Sequence, residues 1–105
     1  IHLTPMVAYS DFRDVKLAWQ EQWHPALVAH QPEMIFISAG FDAHSKDPMG
    51  QTNWQSEDFY WLTDAIVTLA NELCAGRIVS VLEGGYHLAA LAESAELHIR
   101  RLTEE

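Results

Sequence analysis

Two apolar runs constrain the fold of this chain more than any other feature. The first, "MIFI", leads directly into "SAGFDAH", and the second, "IVSVL", leads into "EGGYHL". Neither run alternates with polar residues, which is how a strand covered on both faces reads in a parallel sheet. Between them Phe59, Leu62, Ile66, Leu69 and Leu73 recur at three- and four-residue steps, predicting a helix with those side chains inward. Ser56 with Glu57 and Asp58 suits its start, and Gly76 suits its stop. Strand, helix and strand in that order predict a parallel pair joined by a right-handed crossover.

The flanks extend the pattern. "IHLTPM" reads as another strand running into a loop, and Ser10-Asp11 reads as the start of a helix. Phe12, Val15, Trp19 and Trp23 fall on one face of that helix, and Pro25 predicts a kink or a second helical segment. Gln31-Pro32 ends the region, because a residue before proline avoids the α conformation. A loop rich in Asp, Ser, Pro, Gly and Asn spans 45–55, and Leu88, Leu91, Ala95, Ile99 and Leu102 predict the buried face of a last helix. The class is therefore α/β, a parallel sheet with flanking helices, in a chain of 105 residues with room for one domain at most.

Composition narrows the function. Acidic residues outnumber Lys and Arg by 15 to 6, a net charge of -9, which disfavours direct nucleic-acid binding. Cys74 is the one cysteine, so no internal disulfide forms, and its helical setting predicts a small core residue. No apolar run is long enough for a membrane span and no charged-then-apolar leader opens the chain, so the expected setting is the reducing cytoplasm. Ile1 opens a strand-like segment with no start before it, and the chain is expected to be part of a longer protein.

In α/β sheets, ligands bind beyond the carboxyl ends of the strands. Asp42 and His44 stand at one such end and Tyr86 at the other. Carboxylate and imidazole both suit zinc, yet an Asp that caps its turn beside a solvated His is the more common origin of such a "DAH", and the motif alone is weak. Two ligands do not complete a catalytic zinc site in any case. Gly84 and Gly85 allow close approach of backbone to a ligand, and a phenol at Tyr86 can donate to a developing oxyanion; a plain turn with a half-buried Tyr is the alternative. Glu83 reads either as a base or as a carboxylate satisfied by neighbouring backbone N–H groups.

"SAGFDAH", then "DPMG", a helix and "VLEGGYHL" resemble the C-terminal part of the histone deacetylase family, nearest its bacterial class II-like and acetylpolyamine amidohydrolase-like branches. The likeness runs from about Ile1 to Leu102 and implies the last third of an arginase/deacetylase-like fold. In that sheet the strands at Met34–Ser38 and Ile78–Leu82 are expected to be neighbours, with the Ile1 strand further away. The resemblance further implies that Asp42 is a Zn²⁺ ligand and that Tyr86 polarises the scissile carbonyl of an acetyl-lysine or acetylpolyamine substrate. Pro48 and Met49 are implied to line the substrate channel, and Gly84 and Gly85 to shape the acyl pocket. The family's other zinc ligands and its His-His pair lie upstream and have no counterpart in these residues. His44 is therefore expected at the channel rim or behind the metal ligands, and residues 1–105 alone are expected to be inactive. Three alternatives stay open: a fragment of a zinc-dependent deacetylase, a non-catalytic interaction module, and a different metal-binding domain that uses Asp42 and His44 together. The lone chain is expected to associate with itself or to depend on the missing N-terminal portion.

Overall fold

Asp11, one residue later than expected, opens the first helix, because its carboxylate reaches the N–H of Arg13 at 2.9 Å. In the computed structural model, which describes residues 1–104, the chain runs through α1 (Phe12–Ala18), a π-helical turn (Trp19–Trp23), α2 (His24–His30), β1 (Ile35–Ala39), α3 (Ser56–Cys74), β2 (Ile78–Leu82) and α4 (Leu88–Thr103). Pro25 produces a second helical segment through that widened turn. Proline has no N–H to give, and just ahead of it the N–H of His24 reaches back five residues to the carbonyl of Trp19. Gln31, in the left-handed conformation at φ 55°, ends α2 ahead of Pro32.

β1 and β2 pair in parallel, from Ile35 opposite Ile78 to Ala39 opposite Leu82, so the two predicted strands are neighbours. Their burial corrects one expectation. Ile35 and Ile37 are partly covered and Ala39 is buried, but Phe36 is 71% exposed and Val81 is open as well. Within the described residues the apolar runs are covered on one face only. The expected strand at Ile1 does not form either: residues 1–7 have no regular structure, and Ile1, Leu3 and Val7 are exposed. An extended segment becomes a strand only when a neighbour takes its N–H and C=O groups.

The helical faces are only in part those predicted: Phe59 and Leu69 on α3 are buried, and Leu91 and Ala95 on α4 pack against the core, as expected. On α3 the fully buried positions are Ser56, Phe59, Thr63, Val67, Leu69, Ala70 and Cys74, while Leu62, Ile66 and Leu73 are only partly covered. On α4 they are Ala90, Ser94 and His98, and Leu88 and Ile99 are exposed. Large apolar side chains mark a helix face in sequence, but two helices in close contact meet through small ones. Cys74 is the small core residue expected. N-terminally, α3 closes with a capping box: Gln55 accepts from the Asp58 N–H, and Asp58 accepts from the Gln55 N–H at 2.7 Å. Phe41 and Phe59 pack with tilted rings 5.1 Å apart, with Ala39, Ile37, Trp54 and Leu91 around them, directly beneath the ends of the strands.

His98 joins α3, α4 and β2. The Thr63 hydroxyl donates to the Phe59 carbonyl at 2.6 Å, so its one proton is spent there. It therefore accepts from His98 Nδ1–H at 2.7 Å, leaving Nε2 to accept from the Ser80 hydroxyl at 2.8 Å. Burial lowers the His98 pKa, and the arrangement suits the neutral ring. Because the folded pKa lies below the unfolded one, His98 contributes stability above about pH 6.5 that is lost as the pH falls below it. Thermal midpoints measured from pH 8 to pH 5 should fall more steeply for the wild type than for His98→Gln. Parallel pH dependences would exclude His98 as the cause.

Candidate functional site

The parallel register brings two loops to one place. Ala39 lies opposite Leu82, and beyond them the Glu83 N–H donates to the Ala39 carbonyl at 2.9 Å and the Phe41 N–H to the Gly84 carbonyl at 2.8 Å. These bonds carry the sheet pairing into the turns, so the segment bearing Asp42 and the segment bearing Tyr86 run side by side. Phe41 turns into the core, and the half-buried carboxylate of Asp42 lies against Gly84. A Cβ at Gly84 would stand 2.9 to 3.1 Å from the carboxylate atoms, so a side chain there would displace the group. Gly85 has φ 136°, a backbone that other residues rarely adopt. The glycine pair of "EGGY" thus serves two needs, a close approach and a left-handed bend. Tyr86 emerges from that bend with its side chain 57% exposed.

Among the described residues no hydrogen bond reaches the Asp42 carboxylate from another side chain or from backbone, so its oxygens are available to a ligand. Pro48 and Met49, expected along a substrate channel, are exposed on the neighbouring loop. Glu83 is exposed too, and among the described residues no backbone N–H reaches its carboxylate, which removes the second of its two sequence readings.

His44 is buried, which removes the rim from its two expected positions and leaves the one behind Asp42. Its side chain is 4% exposed, with both ring nitrogens occupied: Nδ1 accepts from the Lys46 N–H at 3.1 Å, so Nε2–H donates to Ser56 Oγ at 3.0 Å. A neutral ring held this way ties the loop to the first turn of α3. It lies on no channel rim, and it has no lone pair left for a metal. The same geometry removes the reading in which Asp42 and His44 share an ion. The His44–Ser56 pair also cannot act as base and nucleophile, since the nitrogen facing the hydroxyl already carries the proton.

A buried carboxylate satisfied by backbone N–H groups does exist, at Asp47. Only 7% exposed, it accepts through Oδ1 from Met49 N–H at 2.8 Å and Gly50 N–H at 3.0 Å, and through Oδ2 from Tyr86 N–H at 2.7 Å. Burial alone would raise its pKa, but the N–H groups of Tyr86, Met49, Gly50 and His87 outweigh burial and hold the carboxyl below the usual range. Sequence reasoning passed over it. The signal was Asp before Pro-x-Gly, an arrangement in which the side chain turns back onto the amides two and three residues on.

Comparison with known proteins settles the family. Residues 2–102 match the histone deacetylase domain. The chain belongs to the histone deacetylase family. It is 40% identical over 90 residues to the type-2 histone deacetylase 2 of Dictyostelium discoideum, covering 83% of this chain and 5% of that protein. It is 42% identical over 78 residues to the human polyamine deacetylase HDAC10, covering 74% of this chain and 11% of that protein. The solved HDA15 histone deacetylase domain superposes with a TM-score of 0.80 at 31% identity, over 91% of this chain and 26% of the other. This histone deacetylase segment thus spans a small part of the relatives it matches, and its fold is a portion of their α/β fold.

Zinc must be weighed against the side chains present. Among the described residues no group of three or more His, Cys, Asp or Glu side chains is placed to hold a metal ion. A half-buried carboxylate without hydrogen-bond donors is a suitable single ligand, but one ligand is not a site. No described helix is long and apolar enough to cross a membrane.

Proposed function

We propose that this segment contributes one metal ligand and the oxyanion donor to a zinc-dependent deacetylase that hydrolyses amides of acetyl-lysine or acetylpolyamines. One observation carries the reading. The ends of two adjacent parallel strands set the unbonded carboxylate of Asp42 beside the two-glycine bend that presents Tyr86.

Asp42 would hold one position on the ion, with the remaining ligands outside these residues. Zinc, when bound, acts as a Lewis acid on the amide carbonyl and lowers the pKa of its water. Tyr86 donates its O–H to the carbonyl oxygen as charge develops there. Gly84 keeps space open beside Asp42, and Pro48 and Met49 supply exposed surface along which an acyl chain enters. Acidic surface on the whole chain suits a cationic substrate, and the relatives named for histone and for polyamine deacetylation keep both substrate classes in view.

The test is acetate release by the native protein from an acetyl-lysine peptide and from an acetylated polyamine. A chelator should abolish turnover of at least one, and added zinc should restore it. Hydrolysis unaffected by chelation would overturn the reading, as would no hydrolysis of either substrate by the zinc-loaded protein.

A further inference from the structure

We propose that Asp47 is the positioning residue for Tyr86: its carboxylate fixes the backbone from which the phenol is presented and ties that backbone to the loop of Pro48 and Met49. The inference rests on the reading of Tyr86 as oxyanion donor. Three observations lead to it.

The first is how little else holds Tyr86. Its side chain is 57% exposed, and among the described residues its hydroxyl has no hydrogen-bond partner. The phenol is therefore placed chiefly by its backbone. That backbone follows two consecutive glycines, residues with the widest conformational freedom, one of them at φ 136°. Something must remove that freedom if the hydroxyl is to meet an oxyanion at a set distance. The first amide after the glycines is that of Tyr86, and it donates to Asp47 Oδ2 at 2.7 Å, a charge-assisted bond.

The second observation separates this contact from ordinary turn formation. An Asp that only caps its own turn needs the amides two and three residues on, and Oδ1 already takes those of Met49 and Gly50. Oδ2 reaches across 39 residues of sequence to the other loop. The third is burial: at 7% exposure, water competes poorly for the carboxylate. The low pKa of Asp47 keeps it ionised, and therefore accepting on both oxygens, throughout the neutral range. Pro48 and Met49 consequently move with Tyr86, so the channel wall and the oxyanion donor form one unit.

Asp47→Asn nearly preserves the shape but keeps a single acceptor oxygen, so only one of the two loops stays anchored. In the native protein this variant should lower kcat by about 10- to 100-fold, the scale of a small misplacement of a reacting group, with KM within about threefold. Because Asp47 acts through Tyr86, adding Asp47→Asn to Tyr86→Phe should slow turnover no further. Hydrogen exchange followed by mass spectrometry supplies a readout without turnover. Amides of residues 85–88 or of Met49 and Gly50 should exchange faster in Asp47→Asn, with α3 unchanged. A slow Tyr86→Phe beside a fast Asp47→Asn would overturn this inference alone, whereas a fast Tyr86→Phe would overturn the role of Tyr86 and the inference with it. Effects that add in the double variant, or exchange that rises throughout the protein, would make Asp47 a general structural anchor and also overturn it.

Discussion

Tyr86→Phe in the native protein is expected to lower kcat for an acetylated amide by about 10² to 10³, the usual consequence of losing one oxyanion donor. The substitution removes a single hydroxyl from an exposed ring that has no hydrogen-bond partner among the described residues. Stability should accordingly change by no more than about 0.5 kcal/mol, as at other surface positions without special contacts. Phenylalanine keeps the backbone N–H, so the bond to Asp47 and the bend at Gly85 persist. What disappears is a donor whose partner gains charge only as the carbonyl is attacked, so KM should move far less than kcat. Steady-state kinetics with both substrate classes, beside a thermal melt, separates this outcome from unfolding. Turnover near that of the wild type would remove Tyr86 from the mechanism.

Much of this arrangement could be read from the residues, and the failures share one cause. The two strands and their carboxyl ends followed from apolar runs leading into glycine, their parallel direction from the strand, helix, strand order, and their adjacency from the family resemblance. Both motifs survive in the structure because they are local: Asp42 and Tyr86 each lie a few residues beyond a strand. Asp47 and His98 were passed over, and His44 was left between two positions, because their roles depend on partners far along the chain, at Ser56, Tyr86, Thr63 and Ser80. Spacing within one segment carries no information about such contacts. The helix faces were only partly legible for a related reason. Hydrophobicity points to Leu88 and Ile99, which are exposed, whereas α4 buries Ala90, Ser94 and His98 beside the expected Leu91 and Ala95. The strand predicted at Ile1 failed because pairing, not composition, makes a strand. Exposed Phe36 and Val81 are the same lesson reversed, since apolar runs that expect cover on two faces receive it here on one.

The chain of 105 residues, expressed alone, is expected to dimerise or aggregate rather than remain a monomer. Its sheet, among the described residues, has two strands, and such a pair is marginal unless well covered. Each strand leaves one edge of N–H and C=O groups unpaired, with Phe36, Val79, Val81 and Leu82 exposed beside them. Edges of this kind recruit strands from other chains. Next to β1 lies a groove of about 650 Å³ whose walls include Trp19, Trp23, Leu27, Ile35, Phe36 and Ile66, so the apolar surface continues past the strand. The net charge of -9 opposes association, because two copies repel each other. Salt screens that repulsion over about 8 Å at physiological ionic strength and leaves apolar contact intact. Association should therefore strengthen as salt is raised, the opposite of what ion pairing between copies would give. Size-exclusion chromatography with light scattering at low and high salt reads both the mass and its trend. A single monomer peak at every salt concentration, with a cooperative thermal transition, would show that the uncovered edges are tolerated and that these residues fold by themselves.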